Sequence, residues 1–154
     1  MYIMGYGEGM TQEPAELTGS TGYLLARVGA ESRRIWARML AGHGLTPHHF
    51  GVLMVLDHLG VASQQQLSRA VGVDPRNAVP VIDLLQQRGL VKRRPDPQDR
   101  RRHAVVLTAA GRATLDELRL AGEQVEQELL DDLTASERAT LHRILSKIHT
   151  TLDR

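Results

Sequence analysis

The chain contains no cysteine. Disulfides, thiol nucleophiles, cysteine redox sensing and thiolate zinc sites are therefore excluded together. Aromatic residues are only 3% of the total, so any core must be built mainly from Leu, Val, Ile and Ala. Long apolar runs are missing too. The longest, Val52 to Leu56, falls far short of the ~20 residues that span a bilayer, and no membrane partner is expected. The opening stretch "MYIMGYGEGM" lacks the basic start and apolar segment of an export signal, which leaves a cytoplasmic location as the expectation.

Catalytic constellations are also lacking. There is no Gly-rich phosphate loop, no G-x-S-x-G elbow and no pair of carboxylates in a cleft-like context. The acids of "EQVEQELLDD" (123–132) read as a solvated helix face. Seven histidines invite a metal reading, notably His43, His48 and His49, or His142 with His149. Zinc needs three or four converging ligands, and no HExxH-type pair is present. On a helix, the adjacent His48 and His49 diverge by about 100 degrees. Neither enzymatic activity, a cofactor nor a metal is expected.

What is present is an ordinary globular composition, 42% apolar and 24% charged over 154 residues, enough for one domain with a proper core. Net charge is +1, but it is unevenly spread. Residues 88–103 hold seven basic side chains (Arg88, Lys92, Arg93, Arg94, Arg100, Arg101, Arg102) against Asp96 and Asp99, a local +5. The twelve basic and sixteen acidic residues elsewhere leave −4. One cationic patch on an acidic body is the electrostatic footprint of a polyanion binder, although a solvated basic loop has the same composition.

Residues 1–15, with Gly5, Gly7 and Gly9, are expected to form a mobile tail. From about Thr18 to Leu40, the spacing of Leu24, Leu25, Val28, Ile35, Trp36 and Met39 predicts a helix ending at "GHG" (42–44). Trp36 reads there as core or as dimer interface. Thr46 then Pro47 marks the start of a second helix, which stops near Gly60. Ser63 and Gln66 form a capping box that opens a short helix ending at Gly72. Asp74 then Pro75 opens another, closed by Gly89. Two short helices around a tight turn make a helix-turn-helix, or an ordinary helical hairpin.

The next segment favours the former. "LVKRR" and "HAVVL" are strand-like and flank the turn-forming "PDPQD". A basic β-hairpin directly after a helix-turn-helix is a winged helix, and the hairpin tip gathers the positive charge. Thr108, and then Thr134 with Glu137, cap two further helices. Their stripes are Leu115, Leu118, Val125 and Leu129, then Leu141, Ile144, Leu145, Ile148 and Leu152. Such near-heptad seams pack within one chain or against a second. The expected fold is mainly α with a small β-hairpin.

In this order the pieces resemble the MarR family of transcriptional regulators over roughly residues 20–152. "RGLVKRRPDPQDRRRHAVVLTAAG" (88–111) is similar to that family's wing signature, through Asp99, Arg101, Leu107, Thr108 and Gly111. The resemblance implies a single domain over 16–154. Within it, 46–108 would be a winged helix-turn-helix lobe that binds double-stranded DNA, and 16–42 and 109–154 helices that form a homodimer. It also implies a repressor on an inverted-repeat operator, released by a small phenolic or anionic ligand. The alternative is a helical dimeric adaptor whose winged helix binds protein.

Candidate contacts follow from the chemistry of readout. The second helix of the motif presents its first residues to base edges, here Arg76 and Asn77. Ser63, Gln64 and Gln65 open the preceding helix, where N–H groups and short polar chains suit phosphate. Arg94, Arg100, Arg101 and Arg102 are wing candidates for phosphate and minor groove. Asp99 is expected to shape the wing by pairing with a nearby arginine. Trp36, His43, His48 or Phe50 would line an effector cleft if one exists, but no ligand residue is assigned.

Val79 and Pro80 depart from the Thr-Arg pair common in the family. A proline inside this helix removes the partner of the Arg76 carbonyl, at about 3 kcal/mol. Either the first turn is irregular, with the regular helix starting at Pro80, or the proline is a tolerated kink. The irregular turn is the preferred reading.

Overall fold

The computed structural model describes residues 18–96 and 103–152. The expected tail (1–15), Asp99, Arg100, Arg101 and Arg102 lie outside the described residues. The elements are α1 (Thr21–Gly42), α2 (Pro47–Leu59), β1 (Ala62–Ser63), α3 (Gln64–Ala70), α4 (Pro75–Gln87), β2 (Val91–Pro95), β3 (His103–Leu107), α5 (Ala109–Leu129) and α6 (Ala135–Leu152). Two compact units divide the chain, residues 1–34 and 35–154. In the first, Leu24, Leu25 and Val28 are exposed on α1, and Arg34 pairs with Glu31 at 2.6 Å.

In the second unit, each helix start marked in the sequence is capped. Thr46, Ser63, Asp74 and Thr108 accept the N–H groups of His49, Gln66, Arg76 and Gly111. Thr134 accepts the Glu137 N–H at 3.3 Å. Gly89 has φ +72°, a left-handed conformation that side chains resist. It lets the chain leave α4 and enter β2 within a few residues.

Leu40, Leu53, Leu56, Leu67, Ile82, Leu85, Leu115 and Leu118 form the buried centre. Burying each contributes roughly 1.5–3 kcal/mol. Around it, α2, α3 and α4 pack on one another and on the sheet, and α2 also packs against α5.

Two features depart from expectation. The hairpin is part of a three-stranded antiparallel sheet in the order β1-β3-β2. The added strand has only two residues, Ala62 and Ser63, facing Val105 and Ala104, too few to show an alternating pattern. The other departure is Pro80. The preferred irregular first turn is not found: α4 is helical from Pro75 and runs through Pro80. Ala78 N–H bonds to the Asp74 carbonyl at 3.1 Å, so the first turn is already closed. Pro80 lies on the exposed side of the helix, as does Arg76, while Ala78, Ile82 and Leu85 hold the other side in the core.

Candidate nucleic-acid interface

Helix α4 buries Ala78, Ile82 and Leu85 and turns the other side outward. Asp74 Oδ1 accepts the Arg76 N–H at 2.8 Å. That cap uses the aspartate locally and leaves the Arg76 and Asn77 side chains exposed on the first turn. At the start of α3, Ser63 N–H donates to Gln66 Oε1 at 2.8 Å, and Gln66 N–H donates to Ser63 Oγ at 3.2 Å. Ser63 is thus first a cap. Gln65 beside it is exposed, and Gln64 half-buried.

The strand register assigns the wing's basic side chains to opposite faces. Ser63, Ala104 and Arg94 lie in one row across the sheet. With strands about 4.8 Å apart, Ser63 and Arg94 stand roughly 10 Å from each other. Arg94 is exposed there, and so is Lys92 on the same face of β2. Ala62, Val105 and Arg93 form the next row, which faces the core. Arg93 reaches from it to α4, where its guanidinium donates to Asp83 Oδ1 at 2.6 Å and to Gln86 Oε1. Asp83 is the one acid of α4, and this bond neutralises it.

Arg88 is likewise engaged: Nη1 donates to the carbonyls of His43 and Gly44 at 2.9 and 3.0 Å. Two of the seven basic residues counted in the sequence therefore hold the lobe together. The signal that separates Arg93 from Arg94 was available, since neighbours on a strand point to opposite faces. The partners Asp83 and Gln86 were not visible in sequence.

The hairpin is fixed at its base by Thr108, whose Oγ donates to the Gly89 carbonyl at 2.6 Å while accepting the Gly111 N–H at 3.0 Å. A Cβ on Gly111 would sit 1.9 Å from the Leu90 carbonyl oxygen. The threonine and glycine of the Leu-Thr-x-x-Gly run are thus required by close backbone packing where wing, α4 and α5 meet. On the other side, Asp57 of α2 accepts from Arg112 and Arg119 of α5, both at 2.8 Å. The Arg119 hydrogen bond, aided by both positive charges and opposed by burial, holds the Asp57 carboxyl below its ordinary range.

Of the residues considered for an effector cleft, Trp36, Phe50 and His43 make contacts within the fold. Trp36 and Phe50 pack at 5.5 Å between ring centroids, and a Cβ on Gly122 would strike the Trp36 ring at 2.3 Å. His43 Nδ1 donates to the Met39 carbonyl at 3.0 Å, and His48 is exposed. His49 completes the α2 capping box, its Nδ1 accepting the Thr46 N–H at 3.0 Å. Among the described residues, no three His, Asp or Glu side chains gather as a metal site, and no helix is long and apolar enough to cross a membrane.

The MarR-family sequence profile matches residues 43–102. The HTH-type transcriptional repressor NicR of Pseudomonas putida is 31% identical over 135 residues, covering 88% of this chain and 85% of NicR. The chain belongs to the MarR family. As a member it is a DNA-binding transcriptional regulator, and its relatives are regulators rather than enzymes.

Solved MarR-family structures share the fold. Wild-type MarR of Escherichia coli in its apo form has a TM-score of 0.76 at 30% identity, covering 84% of this chain and 96% of that one. The repressor CouR bound to a 23-mer DNA duplex gives 0.73 at 32%, covering 89% and 97%. BpsR of Bordetella bronchiseptica, whose DNA binding is regulated by 6-hydroxynicotinic acid, gives 0.68 at 30%, covering 89% and 98%.

Proposed function

We propose that this MarR-family regulator is a repressor that binds an inverted-repeat operator as a homodimer and is released by a small phenolic or anionic ligand. The observation that carries the DNA-reading part is the exposed first turn of α4. Arg76 and Asn77 are the side chains whose donors and acceptors match guanine and adenine edges. Ser63, Gln64, Gln65 and Arg94 would add backbone contacts, and Arg100, Arg101 and Arg102 would extend them along the wing, with Asp99 shaping its tip. The likeness to DNA-bound CouR supports the lobe as the binding surface. The regulation of BpsR by an aromatic hydroxy acid supports the ligand class.

Dimerisation rests on α6, which buries none of its residues and exposes Ile144, Leu145, Ile148 and Leu152. A seam of this kind is stable when a second copy covers it. The proposed division is therefore a reading lobe over 46–108, with 16–42 and 109–154 as dimerisation helices. Half-sites would lie about 10 base pairs apart, one helical turn.

A gel shift on the DNA upstream of the chain's own gene tests the reading. Affinity is expected to fall steeply with salt as counterions are released. Arg101→Ala should weaken binding to all duplexes and reduce the salt slope by about 0.9 for each phosphate that the side chain had neutralised. Arg76→Ala should instead relax preference at one base pair, at about 1–3 kcal/mol. Unchanged binding by Arg101→Ala at about 150 mM salt would remove the wing from the interface, and failure to bind any duplex would favour the protein-binding adaptor. Release is tested by adding 6-hydroxynicotinic acid and related hydroxylated aromatic acids to the same assay. Ligands that raise the melting temperature without altering DNA affinity would count against regulation.

A further inference from the structure

The outward side of α4 carries an apolar step between two polar ones. Arg76 and Asn77 occupy its first turn, and Asp83 with Gln86 lie further along, bound by Arg93. Between them, Val79 is 37% exposed and Pro80 is exposed beside it. Val79 and Pro80 follow Arg76 by three and four positions, so they stand directly above it on the helix. Neither side chain has a donor or an acceptor, and Pro80 lacks even its backbone N–H.

Exposed apolar groups halfway along a helix that faces the major groove cannot satisfy the polar edges of guanine, adenine or cytosine. The one apolar feature that the major-groove code offers is the 5-methyl group of thymine. Covering a guanine or cytosine edge with Val79 would exclude water without replacing its hydrogen bonds, which penalises those bases. Three residues of helix rise about 4.5 Å, against about 3.4 Å per base step. The apolar step therefore falls about one base pair from the base opposite Arg76. Asp83, the acid that would repel the phosphates flanking that position, is neutralised by Arg93.

We propose that Val79, together with Pro80, is a specificity-determining contact that reads a thymine methyl group next to the base read by Arg76. This rests on the proposal that α4 reads DNA, and it adds the identity of one base.

The wild-type chain is used to select duplexes from a random-sequence pool. Each thymine of the selected half-site is then replaced singly by deoxyuridine, which removes only the methyl group, and affinities are measured by fluorescence anisotropy. One or two positions per half-site are expected to lose about four-fold in affinity, the worth of one buried methyl-sized group. Val79→Ala should bind thymine and deoxyuridine duplexes with nearly equal affinity at one of those positions. As Val79 lies outside the core, its variant should melt at the wild-type temperature.

A selected half-site whose deoxyuridine duplexes all bind as tightly as the thymine originals overturns the methyl contact and leaves base reading by α4 intact. So does undiminished discrimination by both Val79→Ala and Pro80→Ala. A pool from which nothing is enriched overturns both proposals.

Discussion

Two residues in the lobe act through their neighbours. Arg93 turns away from the exposed row of the wing and bridges β2 to α4. Arg93→Ala would loosen the wing from α4 and leave the Asp83 carboxylate unneutralised on the proposed reading helix. We expect about ten-fold weaker binding, because like charge at an interface is costly, with the salt slope unchanged and affinity partly recovered by adding Asp83→Asn. A salt slope lowered by about 0.9 would instead identify Arg93 as a phosphate contact.

His49 is the second. Burial, with the positive charges of His48 and Arg88 adding, holds its imidazole below the ordinary histidine value of 6.5. Its Nδ1 must stay unprotonated to accept the Thr46 N–H. The unfolded chain therefore takes up this proton more readily than the folded one. The cap's contribution is present above about pH 6.5 and is lost as the pH falls toward the lower folded value. Denaturant midpoints measured across this range should drop less in His49→Gln, since glutamine accepts the same N–H without titrating. An equal drop in both proteins would place the acid sensitivity elsewhere.

At the level of elements, α4 shows a conflict between sequence and packing. Pro80 deprives the Arg76 carbonyl of its partner, yet the helix continues because Ala78, Ile82 and Leu85 are pinned in the core. Pro80→Ala should stabilise the protein by about 2 kcal/mol: the ~3 kcal/mol interior cost is removed, less the gain proline makes by stiffening the unfolded chain. Urea unfolding measures this, and a neutral or destabilising result would mean that α4 depends on proline rigidity. The caps were legible residue by residue because each needs only a short polar side chain and an N–H within three positions. Strand β1 was not, because its two residues become a strand only through pairing with β3.

For the whole molecule, the question is what covers α6. Its apolar residues were read from the sequence as a stripe, and the fold leaves Ile144, Leu145, Ile148 and Leu152 exposed. If the proposed dimer is built on α6, Ile148→Glu should convert it to a monomer in sedimentation experiments and weaken operator binding by 100-fold or more, roughly the loss of one half-site's tethering. A variant that stays dimeric would move the interface off α6. Because no core residue lies on α6, the thermal unfolding of the lobe should change little.

The sequence alone determined the order of the helices, their capped starts and the place of the basic hairpin among them. Each depends on periodicity or on groups a few positions apart, and local backbone chemistry specifies those. Only the tertiary structure decided which basic side chains of the patch are spent on holding the lobe together. Arg93 finds Asp83 and Gln86 across ten and seven positions, and Arg88 finds two carbonyls more than forty residues earlier. A side chain's partner over such distances is set by how the elements pack, and a charge count along the chain carries no record of it.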